Sequence, residues 1–397
     1  MAHPDAPAPP TPIRRVTPGS GHYFFGYYDK HQWDTTGRWL LGMRATFEGR
    51  AVRADDRLEV GTIDLKDDDA WRTVAQTSAW CWQQGCMLQW RPGTESEIVY
   101  NDRDGDRFVA VVHDVRTGER RTLPRPVYTL SDDGRCGLSL NFARVARTRP
   151  GYGYEGVSDP GADDPHPADD GVWRMDLDTG EHELVVSIDQ LSRHDPPAPT
   201  EDTTQWVNHL LINPGASRFI LLHRWRGAPH RLATRMFTAN LDGSDLRRAD
   251  VEDASHFIWA DEQRILSWDD RSGTSPGYYI TPWHTDDAQQ IGAGTLTQDG
   301  HITVCPDGRW LLTDEYPNPD GFRPLILFHL ESGRRIDLGR FHSPMPNQTE
   351  LRCDLHPRWD RRGTQVCIDS IHEGTRQMYV LDVSHVTTTD RYTDRIK

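Results

Sequence analysis

The run His301-Ile-Thr-Val-Cys-Pro-Asp-Gly308-Arg-Trp-Leu-Leu312 holds a short strand-like stretch, a glycine-centred turn and a second apolar stretch. Pro and Asp suit the first positions of a tight turn, and Gly supplies the left-handed residue that ends it. The β-branched and aromatic residues on either side favour strands. The same grammar recurs along the chain. It is seen at Asp34-Thr-Thr-Gly37-Arg-Trp-Leu-Leu, at Arg91-Pro-Gly-Thr before Ile98-Val-Tyr, and at Ser131-Asp-Asp-Gly134-Arg. It returns at Asn213-Pro-Gly-Ala-Ser-Arg-Phe-Ile, at Asp261-Glu-Gln-Arg-Ile-Leu and at Asp360-Arg-Arg-Gly363-Thr-Gln-Val. With the first run, that makes seven copies. Each is followed by another strand-like run, such as Val111-Val-His-Asp-Val-Arg-Thr-Gly or Leu325-Ile-Leu-Phe-His-Leu-Glu-Ser-Gly.

Short strands, glycine turns and a period of roughly 40 to 55 residues predict an all-β, seven-bladed β-propeller. Two stacked sandwiches would not require so uniform a repeat. The one long interval, Ser131 to Asn213, contains a Gly-, Pro- and Asp-rich stretch, read as a loop at 149–170 inserted into the third blade. The expected organisation is a flexible Pro/Ala-rich segment at 1–17, one propeller domain at 18–385 and a tail at 386–397.

Composition narrows the function. The chain has 397 residues with 33 Gly, 27 Pro and 14 Trp, which fits a turn-dense fold with an aromatic core. No window approaches the ~18 apolar residues of a membrane span, so no membrane partner is expected. A formal net charge of −15 argues against a general nucleic-acid binder. The six cysteines form no small-domain disulfide framework, and Cys136, Cys305 and Cys367 read as buried small hydrophobes. With no secretory signal at Met1 to Pro12, a cytoplasmic location is expected.

In each repeat the strand before the turn should be the innermost, lining the channel. Aligned on their turns, four consecutive blades carry histidine in one register: His209 before Asn213, His256 before Asp261, His301 before Cys305 and His356 before Asp360. Imidazoles at one level of a narrow channel can converge on a divalent metal. Asp354, two residues before His356, adds a carboxylate on the same face. His256, His301, His356 and Asp354 are therefore the candidate metal ligands. Only neutral imidazole coordinates, so metal affinity should fall as the pH drops past about 6.5. The structural alternative is a girdle of hydrogen bonds between blades. The earlier blades offer different chemistry: Tyr27-Tyr28-Asp29 after His22, then Gln83-Gln84, then Tyr128. Arg144, Arg147 and Arg149 follow Tyr128, and His223 and Arg224 follow His209. In so acidic a chain these clusters are where an anion would bind, unless each Arg is spent on a surface Asp or a Trp.

Asn208-His-Leu-Leu-Ile-Asn-Pro with Leu222-His-Arg-Trp, Ser255-His-Phe-Ile-Trp and Asp354-Leu-His-Pro-Arg-Trp resembles the oligogalacturonate lyase type of seven-bladed propeller, over His22 to Ser384. Related propeller lyases act on ulvan and on rhamnose–glucuronate linkages, with an active-site Tyr followed sixteen residues later by an Arg. Tyr128 and Arg144 match that spacing. The resemblance implies a divalent metal in the channel, Mn first and Ca or Zn after it, with His256 and His356 as ligands and His209 at the place of the catalytic base. It departs at one point: that family has His-Pro-His where this chain has Asp354-Leu-His356.

Elimination across C4–C5 of a uronate requires a cation on the carboxylate, a base for the C5 proton and an acid for the leaving O4. His209, Tyr128 and Arg144 are the candidate catalytic residues, and His22, Gln84, Arg147, His223 and Arg224 the candidate substrate contacts. The expected activity is that of a carbon–oxygen lyase on acidic oligosaccharides. The alternative is a non-catalytic propeller that binds a sugar or a protein, since the fold alone decides little. No serine nucleophile elbow, paired-Glu motif or phosphate loop competes.

Overall fold

The computed structural model describes residues 11–194, 202–226, 232–249, 251, 254–271 and 276–388. Seven four-stranded antiparallel sheets follow one another around a central channel. The innermost strands, in blade order, are His22–Phe24, Gln89–Trp90, Thr129–Leu130, Gln205–Ile212, Phe257–Trp259, Ile302–Val304 and Arg358–Trp359. Each of the seven repeat turns joins an innermost strand to the second strand of its own blade. Asp360 to Gly363, for example, lies between Arg358–Trp359 and Gln365–Ser370, and is closed by Gly363 N–H donating to the Asp360 carbonyl at 3.2 Å. At Gly363 the backbone is left-handed, with φ 69°, and a Cβ would meet Cys305 Sγ of the neighbouring blade at 2.4 Å. Only glycine fits both demands.

The blades pack face to face, so their middle strands are buried on both sides and read as near-continuous apolar runs. Arg218–Arg226 has eight of its nine residues buried. One core cluster spans the junction of the first and last blades, bringing Phe24, Trp33 and Met43 against Cys367, Met378 and Val380. The ring closes there by a strand from the other end of the chain. Ile13–Arg15 adds to the outer edge of blade seven, with Ile13 opposite Leu381 and Arg15 opposite Tyr379. The segment expected to be flexible at 1–17 thus contains a strand. Three residues with little apolar content carry no strand signal of their own, and the edge of Gln377–Asp382 supplies the pairing. Residues 1–10 and 389–397 of the expected termini lie outside the described residues.

Between the second and third strands of blade three run a short helix, Phe142–Thr148, and the loop 149–170. Asn141 caps the helix, its side chain accepting from Arg144 N–H at 3.0 Å. This excursion delivers Arg149 and Tyr152 to the channel. No described cysteine is in a disulfide; five are buried and Cys136 is half-buried, less enclosed than expected. No helix among the described residues is long and apolar enough to cross a membrane.

Candidate functional site

The innermost strands begin at one end of the channel, and the registered residues gather there. His256, His301 and His356 directly precede or lie just ahead of the inner strands of blades five, six and seven, and Tyr128 does so in blade three. His209 sits inside Gln205–Ile212, where the pairing slips between Asn208 and Leu211. Both His209 (φ 52°) and His356 (φ 41°) are left-handed. That conformation costs a non-glycine residue of order 1–3 kcal/mol and turns the side chain off the regular strand direction. All four imidazoles are buried. The rings of His256 and His301 lie 4.2 Å apart, as do those of His301 and His356.

Below them Tyr27 and Tyr28 fill the channel. Tyr27 stacks on His209 at 5.1 Å, and Tyr28 lies 5.3 Å from His301. Gly26 makes this possible: its φ is 102°, and a Cβ would approach the Gln84 carbonyl carbon to 2.7 Å. Asp369 anchors the segment by accepting from Phe25 and Gly26 N–H, both at 3.1 Å. Tyr28 also lines a cavity of about 600 Å³ at the opposite mouth, together with Asp29 and Lys30.

Two sub-sites result. In the first, donor atoms of His301, Asp354 and His356 all lie within 4.8 Å of one another. His301 Nδ1 is held by Asp314 at 2.9 Å, which leaves Nε2 facing Asp354 Oδ2 at 3.9 Å. His356 Nε2 is 4.0 Å from the same oxygen, buried and without a hydrogen-bond partner. Burial opposes ionisation of Asp354, yet Arg352 and Arg323, helped by the two histidines, hold its carboxyl well below the usual range. Burial, then His301, pushes His356 well below the usual imidazole value, with Asp354 opposing. An ionised carboxylate, a neutral imidazole with an orphaned nitrogen and a second imidazole oriented by a carboxylate form a donor set that fits a divalent metal. This buried group could hold such an ion. His256, the fourth expected ligand, is not part of that group: its Nδ1 goes to Asp299 at 2.8 Å.

In the second sub-site, Gln84 Nε2 can only donate, and it faces Tyr128 Oη at 2.5 Å and His209 Nδ1 at 3.2 Å. The Tyr128 hydroxyl then gives its own proton to His209 Nδ1, 2.8 Å away. Burial, followed by Arg149 and His256, keeps His209 well below the usual imidazole value, so it is neutral. Burial and Asp29 raise the Tyr128 phenol well above its ordinary value. Tyr128 is thus a held acid and His209 a ready acceptor.

Five expected site residues are elsewhere. Arg144 is buried away from the cluster. Its Nε donates to Gln205 O at 2.7 Å, and its two terminal nitrogens go to the Gly161, Asp164 and Pro165 carbonyls and to Asp159. It clamps the inserted loop and leaves no donor for a ligand. Arg147 pairs with Asp159 at 2.9 Å. His22 faces Glu48 at 3.0 Å. His223 Nε2 donates to Gln205 Oε1 at 2.7 Å, and Arg224 Nε to Thr234 Oγ1 at 3.2 Å. Spending each Arg on a neighbouring Asp or carbonyl was the structural alternative, and it holds for Arg144 and Arg147.

Sequence reasoning missed Tyr152, Tyr316, Arg352 and Asp299. Asp299-Gly-His301 repeats the spacing of Asp354-Leu-His356, a signal that was available. Tyr152 and Arg352 carried none: they meet across 200 positions, where Arg352 Nη2 donates to Tyr152 Oη at 2.6 Å while its Nε donates to Asp354 at 2.6 Å. Tyr152 also sets its ring edge-on to His209 at 5.7 Å. Burial raises the Tyr152 phenol, but Arg352 and Arg149 outweigh it and bring it below its ordinary value.

No known protein family and no curated protein matches the sequence. Solved structures do. An oligogalacturonate lyase in complex with manganese superposes with a TM-score of 0.67 at 17% identity, covering 95% of this chain and 94% of that one. An oligogalacturonate lyase from Vibrio parahaemolyticus gives 0.67 at 16%, with 94% of each chain covered. The propeller domain of a protease from Pyrococcus furiosus gives 0.52 at 12%, over 90% of this chain and 93% of that one. At these identities the likeness establishes the seven-bladed architecture, which proteins of different chemistry share.

Proposed function

We infer that the protein is a polysaccharide lyase that cleaves uronate-containing oligosaccharides by β-elimination, leaving an unsaturated uronate. The observation that carries this reading is the adjacency of a group that could hold a cation, His301, Asp354 and His356, to a proton-transfer pair, Tyr128 and His209, with the Tyr27 ring 5.1 Å from His209 and 5.2 Å from His356. Elimination needs both kinds of group within one sugar's reach. The two oligogalacturonate lyases among the structural neighbours support the choice of substrate class, and one of them contains manganese.

The metal, Mn before Ca or Zn, would be held by His301 Nε2, Asp354 and His356 Nε2, and would supply positive charge toward a carboxylate. The chain's own residues do the rest. His209 Nδ1 is the acceptor for the C5 proton once the Tyr128 hydroxyl turns from it to the glycosidic oxygen. Gln84 holds the Tyr128 oxygen by donating to it and lies 3.2 Å from His209 Nδ1. The C5–H electron pair then forms the C4–C5 double bond, and the C4–O4 bond breaks as Tyr128 protonates O4. Packing by Tyr27, Tyr28 and Tyr152 excludes water and strengthens each interaction.

The test is a continuous ultraviolet assay for the unsaturated product with oligogalacturonate, ulvan fragments and rhamnosyl-glucuronate, with Mn supplied. Rising absorbance on at least one is expected. Flat traces on all three would overturn the lyase assignment.

A further inference from the structure

The cations around the histidine end can be accounted for one at a time. Lys30, set toward the opposite mouth, is spent on Asp29 at 2.8 Å. Arg323 is committed as an ion pair to Asp354, 2.9 Å away, and donates from Nε to Ser343 O at 3.1 Å, although its Nη2 is buried without a partner. Arg352 is divided among Asp354, Tyr152 and the Thr349 carbonyl. Arg144, the residue the sequence nominated for the substrate carboxylate, is closed on backbone carbonyls and Asp159.

Arg149 is different. Its guanidinium carbon lies 4.2 Å from the centroid of the Tyr152 ring. Its side chain makes no hydrogen bond or ion pair among the described residues, and its Nη1 is buried without a partner. The residue as a whole is half-buried, and the ring it stacks on lies edge-on 5.7 Å from His209, on which the Arg149 charge acts. Stacking on a ring satisfies the face of a guanidinium and leaves its in-plane N–H groups open. An oriented fork of free donors beside a proton-transfer pair is a receptor for a planar oxyanion, which two parallel hydrogen bonds would fit.

We propose that Arg149, seated on Tyr152, is the residue that binds the carboxylate of the substrate uronate and sets the preference for free acid over ester. The inference deepens the lyase reading and rests on it for the identity of the ligand. Glutamine at this position keeps length and loses the fork, whereas lysine keeps charge but not geometry.

The experiment compares wild type, Arg149→Gln and Arg149→Lys on the free-acid and methyl-ester forms of whichever oligosaccharide is cleaved. Calorimetric binding of glucuronate, galacturonate and neutral galactose is measured alongside. Losing a charge-assisted bidentate contact weakens binding by roughly 10- to 100-fold. The expected result is an acid-to-ester preference that collapses by about that factor in Arg149→Gln and recovers in part in Arg149→Lys, with glucuronate or galacturonate binding weakened to the level of galactose. If Arg149→Gln keeps the full preference and binds uronate as well as wild type does, the inference is overturned while the lyase assignment stands. If wild type binds uronate through Arg149 yet forms no unsaturated product, the lyase assignment fails and the receptor stands. Wild type that neither binds nor cleaves a uronate overturns both.

Discussion

His301, Asp354 and His356, from blades six and seven, and Gln84, Tyr128 and His209, from blades two to four, occupy the same end of one channel and are built on opposite principles. The first group concentrates charge: a buried carboxylate is kept ionised by two guanidiniums, and an imidazole nitrogen beside it has no partner. The second carries no charge: amide, phenol and imidazole are joined by hydrogen bonds of 2.5 to 3.2 Å. A site with an unsatisfied donor set and a site with a satisfied proton pair do different work. The first suits a cation and the second a proton.

The largest effect should come from Asp354. Asp354→Asn leaves Arg323 and Arg352 buried against a neutral amide, a loss of about 3–5 kcal/mol in chemical denaturation, together with loss of metal binding by calorimetry. His356→Ala should lose the metal with much less destabilisation, because its Nε2 has no partner to leave behind. Equal destabilisation in the two variants would break the contrast drawn between them.

Tyr128→Phe tests the neutral side. It should lower kcat by about 10²–10⁴-fold, the range for losing a positioned general acid, with the thermal midpoint little changed. Arg144→Ala, by contrast, should cost about 1–3 kcal/mol of stability, because its carbonyl partners are stranded, and should leave the acid-to-ester preference intact in the folded fraction. A lost preference there would return Arg144 to the role that the Tyr–Arg spacing suggested.

The pH dependence follows the burial of the histidines. Burial, with Arg235 adding to it, pushes His223 down to about 3. The unfolded chain protonates it near about 6.5. Between those values the unfolded state holds the extra proton, so stability falls as the pH drops, by up to about 1.4 kcal/mol per unit for this one group. Denaturant titrations from pH 7 to 5 should show that slope, and His223→Gln should flatten it by its share. His356 is depressed too, so metal should persist somewhat below the pH expected for a free imidazole. The smallest effect is expected for Arg147→Ala: its guanidinium is exposed and the buried Asp159 keeps Arg144 and Asn141 as partners, so the loss stays within about 1 kcal/mol.

The seven turns were legible because each demands particular residues at fixed offsets, and the inner strand that precedes each turn has its place in the ring set by it. Those two facts put His209, His256, His301 and His356 at one level, with Tyr128 on the other half of the channel. What periodicity could not say is which way a side chain leaves the strand. The left-handed backbone at His209 and His356 and the pull of Asp299 on His256 decide which imidazoles share a ligand. Nor could it trace the inserted loop, whose path spends Arg144 on its own carbonyls and brings Tyr152 to Arg352. The Tyr–Arg spacing does not carry Arg144 to Tyr128, since a buried guanidinium takes whatever acceptors surround it.

The division of labour between the two groups is tested most directly by bound-metal stoichiometry, measured by elemental analysis after dialysis against Mn, for wild type, His356→Ala and Tyr128→Phe. One ion is expected in wild type, none in His356→Ala and one in Tyr128→Phe. An ion retained by His356→Ala, or lost from Tyr128→Phe as well, would contradict it.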